Sequence, residues 1–326
     1  MKQILILLIL SSQLLVSCVK TDPFGNPSPT PAQKSIPDLV ASDKNFSRLN
    51  QAITKAGIAS SLSASNLTLF VPDNAAFATA GLDSVTIAKL DATTLANVLK
   101  FHVLNTAVRS TDLSTVINKE VATLNGTAYL SKFSFGTSAV AVDGARVTLS
   151  DIAATNGVVH IVDNVLIPPT GTIADAIKGN PNFTFLLAAL TKANLITLLA
   201  ANGPLTLFAP TDDAFKTTSP YKTIDQINAA APADLAAVLQ YHVAPGRIFT
   251  TNFVPEAYPV SGGIVVSNDA TRPGKITTAV GSTINVSSDL KLTGLGNGTD
   301  AATITKANIL ASNGVVQTID RVLLPK

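Results

Sequence analysis

Four residues carry the thiol and imidazole groups from which many catalytic and metal sites are built: Cys18, His102, His160 and His242. A zinc site needs three or four converging ligands, often at H-x-x-x-H or C-x-x-C spacing, and neither spacing occurs. The nucleophile turn G-x-S-x-G of many hydrolases and the phosphate-binding G-x-x-x-x-G-K-[ST] are also absent from the sequence. We therefore predict no catalytic residue, no metal, no cofactor and no enzyme activity.

Two of the histidines end apolar helical stripes. The stripe in "LANVLKFHV" consists of positions spaced i, i+3, i+4 and i+7, and its last member is His102. The segment "LAAVLQYHV" has the same spacing and ends at His242. Such a spacing places all four side chains on one face of a helix. An imidazole there can hydrogen-bond the terminal carbonyls, so we interpret both histidines as structural, with ligand binding as the alternative.

Cys18, the single cysteine, follows a short apolar stretch from Ile4 to Val16. That stretch is shorter than the roughly 20 apolar residues that span a bilayer, and it follows Lys2, so we interpret residues 1–17 as a signal peptide. The sequence "LVSC" resembles a bacterial lipobox, in which the cysteine is acylated; a plain signal peptide with an incidental cysteine is the alternative. Residues 18–35 contain four prolines and predict an extended tether.

The rest of the composition narrows the class of protein. With no cysteine besides Cys18, an exported chain contains no internal disulfide and must be stabilised by apolar cores. Its 326 residues favour about two domains. The formal net charge is +2 with no basic run, which argues against nucleic acid as a partner and against electrostatic membrane binding.

The sequence repeats itself on the scale of a domain. The paired blocks are "LTLFVPDNAAF" at 67–77 with "LTLFAPTDDAF" at 205–215, residues 95–113 with 235–253, and "NGVVHIVDNVLIP" at 156–168 with "NGVVQTIDRVLLP" at 313–325. A period this long indicates tandem globular domains. We place domain 1 at 36–169 and domain 2 at 170–326, and infer an insertion of roughly 17 residues before the last strands of domain 2. His160 pairs with Gln317, so a shared catalytic role is not expected.

Each copy begins with helices and continues with strands. The "LTLF" segments read as buried strands that end at Pro72 and Pro210, and Asp73 and Thr211 are suitable N-caps for a short following helix. Short alternating segments such as "TAYLS" and "RVTLS" then predict strands of an antiparallel or mixed sheet. This order predicts an α+β fold.

The three ordered blocks, each present twice, resemble the fasciclin-like domain, and the resemblance covers the chain from Ile36 to Lys326. It implies two tandem domains, each a wedge of antiparallel or mixed strands flanked by short helices. It also implies a non-catalytic role in extracellular adhesion or matrix binding. Together with the lipobox, the chain is similar to bacterial lipoproteins of the Bacteroidetes type that carry two such domains.

In animal members of this family, a Tyr-His pair has been linked to integrin recognition. The pair is present in domain 2, whereas domain 1 has phenylalanine in place of the tyrosine. Two further tyrosines of domain 2 are candidates for an aromatic sugar-binding surface, with a partly buried core position as the alternative. The candidate binding residues are therefore Tyr241, His242, Phe101, His102, Tyr221 and Tyr258.

From these features we expect a lipid-anchored, non-catalytic protein of the cell envelope that binds an extracellular protein or glycan. We expect it at the outer membrane and on the cell surface, with the periplasmic face as the alternative. Two other functions stay open, namely accessory glycan capture for polysaccharide uptake and a structural spacer. The sequence leaves open the partner and the oligomeric state.

Overall fold

The computed structural model describes residues 33–133, 140–201, 203–255, 264–266 and 274–326. The predicted signal peptide, Cys18, most of the tether and Tyr258 lie outside the described residues. The chain from Lys34 to Lys326 forms one unit of mutually contacting elements.

Domain 1 contains short helices followed by a run of strands. Its helices are α1 (Ile36–Ser42), α2 (Ser47–Ala56), α3 (Asn74–Thr79), α4 (Ser84–Lys89) and α5 (Ala92–Phe101). Its strands are β1 (Leu67–Pro72), β2 (Val103–Leu104), β3 (Val116–Thr123), β4 (Gly126–Lys132), β5 (Val140–Val142), β6 (Ala145–Ala154) and β7 (Gly157–Val162). Only β1 lies among the helices in chain order.

The seven strands of domain 1 close into a barrel. Strand β1 pairs in parallel with β7 and antiparallel with β2, and the other neighbours are antiparallel. All six residues of β1 are buried, because the helices cover one face and the barrel interior lies behind the other. This mixed sheet with flanking helices is the α+β architecture that the sequence predicted.

Domain 2 repeats the order of elements. Its helices are α6 (Ile173–Lys178), α7 (Thr184–Lys192), α8 (Ile196–Ala200), α9 (Asp212–Thr218), α10 (Ile224–Ala229) and α11 (Pro232–Tyr241). Its strands are β8 (Leu205–Pro210), β9 (Val243–Pro245), β10 (Phe253–Pro255), β11 (Ile264–Val266), β12 (Gly274–Thr277), β13 (Thr283–Val286), β14 (Leu292–Thr293), β15 (Ile304–Ala311) and β16 (Gly314–Ile319).

The described strands of domain 2 form three groups. The first has the order β15-β16-β8-β9, the second pairs β10 with β11, and the third has the order β12-β13-β14. Strands β8 and β16 are parallel, as are β1 and β7 in domain 1. The central parallel pair of each domain therefore comes from the two most similar blocks of the sequence.

The repeated strand-to-helix corner forms as its sequence predicts. The Asp73 carboxylate accepts a hydrogen bond from the Ala76 N–H at 2.8 Å, and the Thr211 hydroxyl accepts one from the Ala214 N–H at 3.2 Å. These side chains satisfy N–H groups that have no partner within the first turn of a helix. Both predicted N-caps are confirmed.

The "NG" of the last block is needed for close packing of the central strands. A Cβ at Gly157 would overlap the carbonyl of Leu67, and a Cβ at Gly314 would overlap that of Leu205. The asparagine before each of these glycines binds the first helix of its domain. The Asn156 amide oxygen accepts a hydrogen bond from the Ile36 N–H at 2.9 Å. Asn313 does the same for Ile173 at 2.8 Å.

Candidate functional site

His102 and His242 have the same hydrogen bonds in the two domains. The Nδ1–H of His102 donates to the Val98 carbonyl at 2.8 Å, and that of His242 donates to the Val238 carbonyl at 2.8 Å. At the other ring nitrogen, Nε2 of His102 accepts from the Leu166 N–H at 2.9 Å. Each imidazole therefore joins the end of a helix to the segment that follows the last strand of its domain, as the structural interpretation predicted.

The second domain repeats that last contact, since Nε2 of His242 accepts from the Leu323 N–H at 2.9 Å. One ring nitrogen of each histidine donates and the other accepts, which requires the neutral imidazole. Burial lowers the pKa of His102 and of His242 to about 4, against an opposing effect of the hydrogen bonds to Val98 and Val238. Both rings are thus uncharged around neutral pH.

The Tyr241 hydroxyl has two partners inside domain 2. It donates to the Thr283 carbonyl at 2.5 Å and accepts from the Leu295 N–H at 3.0 Å. Thr283 begins strand β13, and Leu295 follows strand β14. The hydroxyl therefore joins helix α11 to this sheet of domain 2, whereas Phe101 at the matching position of domain 1 has no hydroxyl.

Four of the candidate binding side chains are inside the protein: Phe101, His102, Tyr241 and His242 are at most 1% exposed. In this fold these side chains pack inside the protein, and the two histidines and Tyr241 make internal hydrogen bonds; a role of the four in binding a partner stays a prediction. Tyr221 is half-buried and packs against the helical core of domain 2, which fits its alternative as a partly buried core residue. Tyr258 lies outside the described residues.

His160 and Gln317 make equivalent bonds with different chemical groups. The imidazole Nδ1 of His160 accepts from the Asp151 N–H at 3.2 Å, and its Nε2–H donates to the Val108 carbonyl at 2.8 Å. The amide of Gln317 accepts from the Asn308 N–H at 2.8 Å and donates to the Ile248 carbonyl at 2.8 Å. Both side chains supply one acceptor and one donor at the same place, so this position is structural.

A groove opens on the outer surface of domain 1, between α1 and strands β6 and β7. We call it the domain-1 groove; its volume is about 640 Å³, and its lining residues are Lys34, Leu39, Ser42, Asp43, Lys44, Phe46, Leu149, Ile152, Val159 and Ile161. Leu149 is 51% exposed. Sequence reasoning missed this feature, although a leucine in the middle of the alternating segment "RVTLSD" was a signal for it.

The two domains meet through a set of amide contacts. The Asn118 amide nitrogen donates to the Arg247 carbonyl at 2.6 Å, and the Asn252 amide nitrogen donates to the Asn118 amide oxygen at 3.2 Å. The Asn308 amide nitrogen donates to the Gly144 carbonyl at 3.3 Å. The residues of domain 1 that correspond to Asn252 and Asn308 are the acidic Asp112 and Asp151.

Aromatic and charged groups complete this junction. The Arg247 guanidinium lies over the Tyr129 ring at 4.3 Å from its centroid, and the rings of Tyr129 and Phe249 are 6.3 Å apart. The Asp143 carboxylate accepts from the Tyr129 N–H at 2.8 Å, while its other oxygen is buried without a hydrogen-bond partner. Burial raises the pKa of Asp143 to about 7, although the hydrogen bond from Tyr129 and the charge of Arg247 oppose the shift.

The described part of the chain contains neither a metal-binding cluster nor a membrane-spanning helix. Within it, no three His, Cys, Asp or Glu side chains are grouped so that they could hold a metal ion. None of the helices in those ranges is long and apolar enough to cross a bilayer.

Comparison with known proteins identifies both halves of the chain. The fasciclin domain model matches residues 44–168 and again 181–325. The transforming growth factor-beta-induced protein ig-h3 of Sus scrofa is 29% identical over 287 residues, which are 88% of this chain and 37% of that protein. Periostin of Homo sapiens is 27% identical over 266 residues, which are 80% of this chain and 28% of that protein.

A bacterial relative and a solved structure were also found. The protein sll1483 of Synechocystis is 33% identical over 161 residues, covering 47% of this chain and 73% of that protein. The structure of a FAS1 domain pair from the insect cell adhesion molecule fasciclin I is 18% identical, with a TM-score of 0.40, and covers 88% of this chain and 95% of that one. The chain spans about a third of the length of the ig-h3 proteins of Sus scrofa and Oryctolagus cuniculus. With fasciclin matches over both halves, the chain belongs to the fasciclin domain family.

Proposed function

We propose that this chain is a non-catalytic binding protein on the outside of the cell, where its pair of fasciclin domains mediates adhesion to an extracellular protein or glycan. The observation that carries the proposal is the internal position of the residues that the two domains share. His102 and His242 are fully buried and hydrogen-bonded within the fold, so these repeated residues build the scaffold. The surface, which differs between the domains, is available for recognition.

The proposal includes the predicted lipid anchor at Cys18, in the outer membrane and with both domains exposed at the cell surface. The experiment is protease treatment of intact cells, followed by detection of the protein with an antibody. Loss of the protein from intact cells supports surface exposure. Protection until the outer membrane is opened contradicts it and moves the protein to the periplasm.

The anchor has its own test. A strain that expresses Cys18→Ser and is fed a clickable fatty acid should yield an unlabelled protein, whereas the wild type should be labelled. Equal labelling of both proteins would contradict acylation at Cys18. Adhesion of wild-type and deletion strains to matrix proteins and glycans then tests binding, and unchanged adhesion of the deletion strain favours the structural spacer.

Accessory glycan capture is a second candidate because of a cleft beside the junction of the two domains. The cleft has a volume of about 440 Å³, and its lining includes the amide side chains of Asn118 and Asn252 and the cations Arg247 and Lys275. Among the described residues that line it there is no carboxylate, so an acidic polysaccharide is the matching glycan. Weaker retention of Lys275→Ala than of wild type on an acidic polysaccharide, with equal behaviour on a neutral one, would support this candidate; identical retention would reject it.

A further inference from the structure

The floor of the domain-1 groove is made of side chains that offer no hydrogen bond. Leu39, Phe46, Leu149, Ile152 and Ile161 all line it. Strand β7 is paired on both sides, whereas β6 is paired with β5 only at Ala145 and Arg146. The apolar side chains of the floor offer no hydrogen bond, and an alkyl chain needs none and gains from every apolar contact.

The rim of the groove carries positive charge. Of the described residues, Lys34, Lys44 and one carboxylate, Asp43, are the charged groups that line it. That carboxylate is already engaged, because it accepts a hydrogen bond from the Asn45 N–H at 2.9 Å. Lys34 donates to the Ser42 hydroxyl at 2.8 Å and has further N–H groups to donate. An anionic group at the end of an alkyl chain would complement these two ammonium groups.

We propose that the domain-1 groove binds a single-chain anionic amphiphile, with the alkyl chain on the apolar floor and the carboxylate or phosphate head between Lys34 and Lys44. The volume of about 640 Å³ lies in the usual range of small-molecule sites, roughly 300–1,000 Å³. This site is independent of the proposed adhesive function, which concerns a protein or glycan partner.

Domain 2 provides an internal control, because the same positions there have different chemistry. Leu149 pairs with Ile161 across β6 and β7, and Lys306 pairs with Thr318 at the same register of β15 and β16. At the rim, the residues that correspond to Lys34 and Lys44 are Gly171 and Pro181. Domain 2 thus lacks both the apolar pair and the two lysines, so the groove is specific to domain 1.

The test is a calorimetric titration of residues 19–326, which contain the whole unit from Lys34 to Lys326. The probe is sodium dodecanoate below its micelle-forming concentration, at about pH 8, where a carboxyl group is ionised. We expect saturable binding at one site. The double variant Leu149→Lys, Ile161→Thr installs the domain-2 pair and should weaken binding about tenfold or more, because two apolar contacts are lost.

Two matched comparisons separate the groove from general effects. Leu198→Lys makes the same change at a leucine of domain 2 that is 39% exposed, and it should leave the affinity unchanged. The variant Lys34→Gln, Lys44→Gln should weaken dodecanoate binding several-fold, yet leave the affinity for uncharged dodecyl maltoside unchanged, since it removes only the charges that face the head group. Thermal unfolding of each variant verifies that the fold is retained.

Three outcomes would overturn the proposal. The first is that dodecanoate does not bind below its micelle-forming concentration. The second is equal binding by wild type and by the Leu149→Lys, Ile161→Thr variant. The third is a dimer of the wild-type chain in sedimentation that this variant dissociates without any dodecanoate binding, which would make the groove a contact between two copies of the chain.

Discussion

Position 160 of domain 1 and position 317 of domain 2 occupy the same register beside the central strand, where His160 faces Phe70 and Gln317 faces Phe208. One side chain is an imidazole and the other an amide, yet both accept from a backbone N–H and donate to a backbone carbonyl. The comparison teaches that this place in the fold requires one acceptor and one donor in a fixed geometry. It does not require the chemistry of histidine.

At the junction of the two domains, by contrast, matching positions carry side chains that differ in their ability to donate a hydrogen bond. Asp112 and Asp151 of domain 1 accept hydrogen bonds within their own domain, whereas Asn252 and Asn308 at the matching places also donate across the junction. A carboxylate cannot donate in this way. The change from acid to amide therefore follows from the burial of this part of domain 2 against domain 1.

The largest predicted effect concerns the histidines that both domains share. In the folded protein the pKa of each histidine is about 4, below the ordinary value of 6.5, so the unfolded chain binds protons first as the pH falls. Their contribution is complete above about pH 6.5 and is lost as the pH falls towards 4, by about 3 kcal/mol for each histidine. Urea unfolding between these pH values measures the loss.

Protonation of Asp143 stabilises the folded state as the pH falls over the same range and would mask part of this loss. The experiment is therefore best done with the Asp143→Asn variant. In that background, the free energy of unfolding should fall steeply from pH 6.5 to pH 4. A constant value would contradict the neutral, buried state of His102 and His242. A loss in only one of the two domains would break the symmetry between them.

The second prediction concerns Asp143 at the junction. In the folded protein its pKa is about 7, above the ordinary value of 3.8, so the folded state holds the proton more tightly. The resulting stability is complete below about pH 4 and is lost as the pH rises through 7, with a loss of about 2.5 kcal/mol between pH 5 and pH 8. The difference between wild type and Asp143→Asn at these two pH values measures it. A difference that does not change with pH would contradict the prediction.

The third prediction exchanges the residues that distinguish the helix ends of the two domains. Tyr241→Phe leaves the Thr283 carbonyl and the Leu295 N–H without their partner, and should lower the free energy of unfolding by about 1–2 kcal/mol. Phe101→Tyr adds a hydroxyl to a fully buried ring in domain 1 and should destabilise by a similar amount. Chemical unfolding of both variants tests this, and a neutral Tyr241→Phe would show that the hydroxyl contributes little to holding helix α11 against Thr283 and Leu295.

The smallest effect is expected for His160→Gln, because domain 2 already has a glutamine, Gln317, at the matching position. His160→Gln should change the free energy of unfolding by less than about 1 kcal/mol, because the amide can make both bonds of the imidazole. His160→Ala is the matched control and should destabilise by about 2 kcal/mol, since the Asp151 N–H and the Val108 carbonyl lose their partner. Equal destabilisation by both substitutions would contradict the equivalence of His160 and Gln317.

Local features of the fold were accessible from the sequence because they depend on residues close together in the chain. The N-caps at Asp73 and Thr211 follow from residue type and from the proline that ends each strand. The histidines at the helix ends follow from the spacing of the apolar stripe. The importance given to Tyr241 as a contact residue came from the family resemblance, and the sequence did not show that Thr283 and Leu295 would bind its hydroxyl inside domain 2.

The sequence alone determined the repeat, the family, the α+β order of elements and the caps, since each depends on a local pattern or on the comparison of one half with the other. Only the tertiary structure decided which of the shared side chains are buried, which residues join the domains and where an apolar groove stays open. The physical reason is that burial and charge pairing depend on residues far apart in the chain. Lys34 and Leu149 meet at one groove, and Asn118 meets Asn252 across the junction.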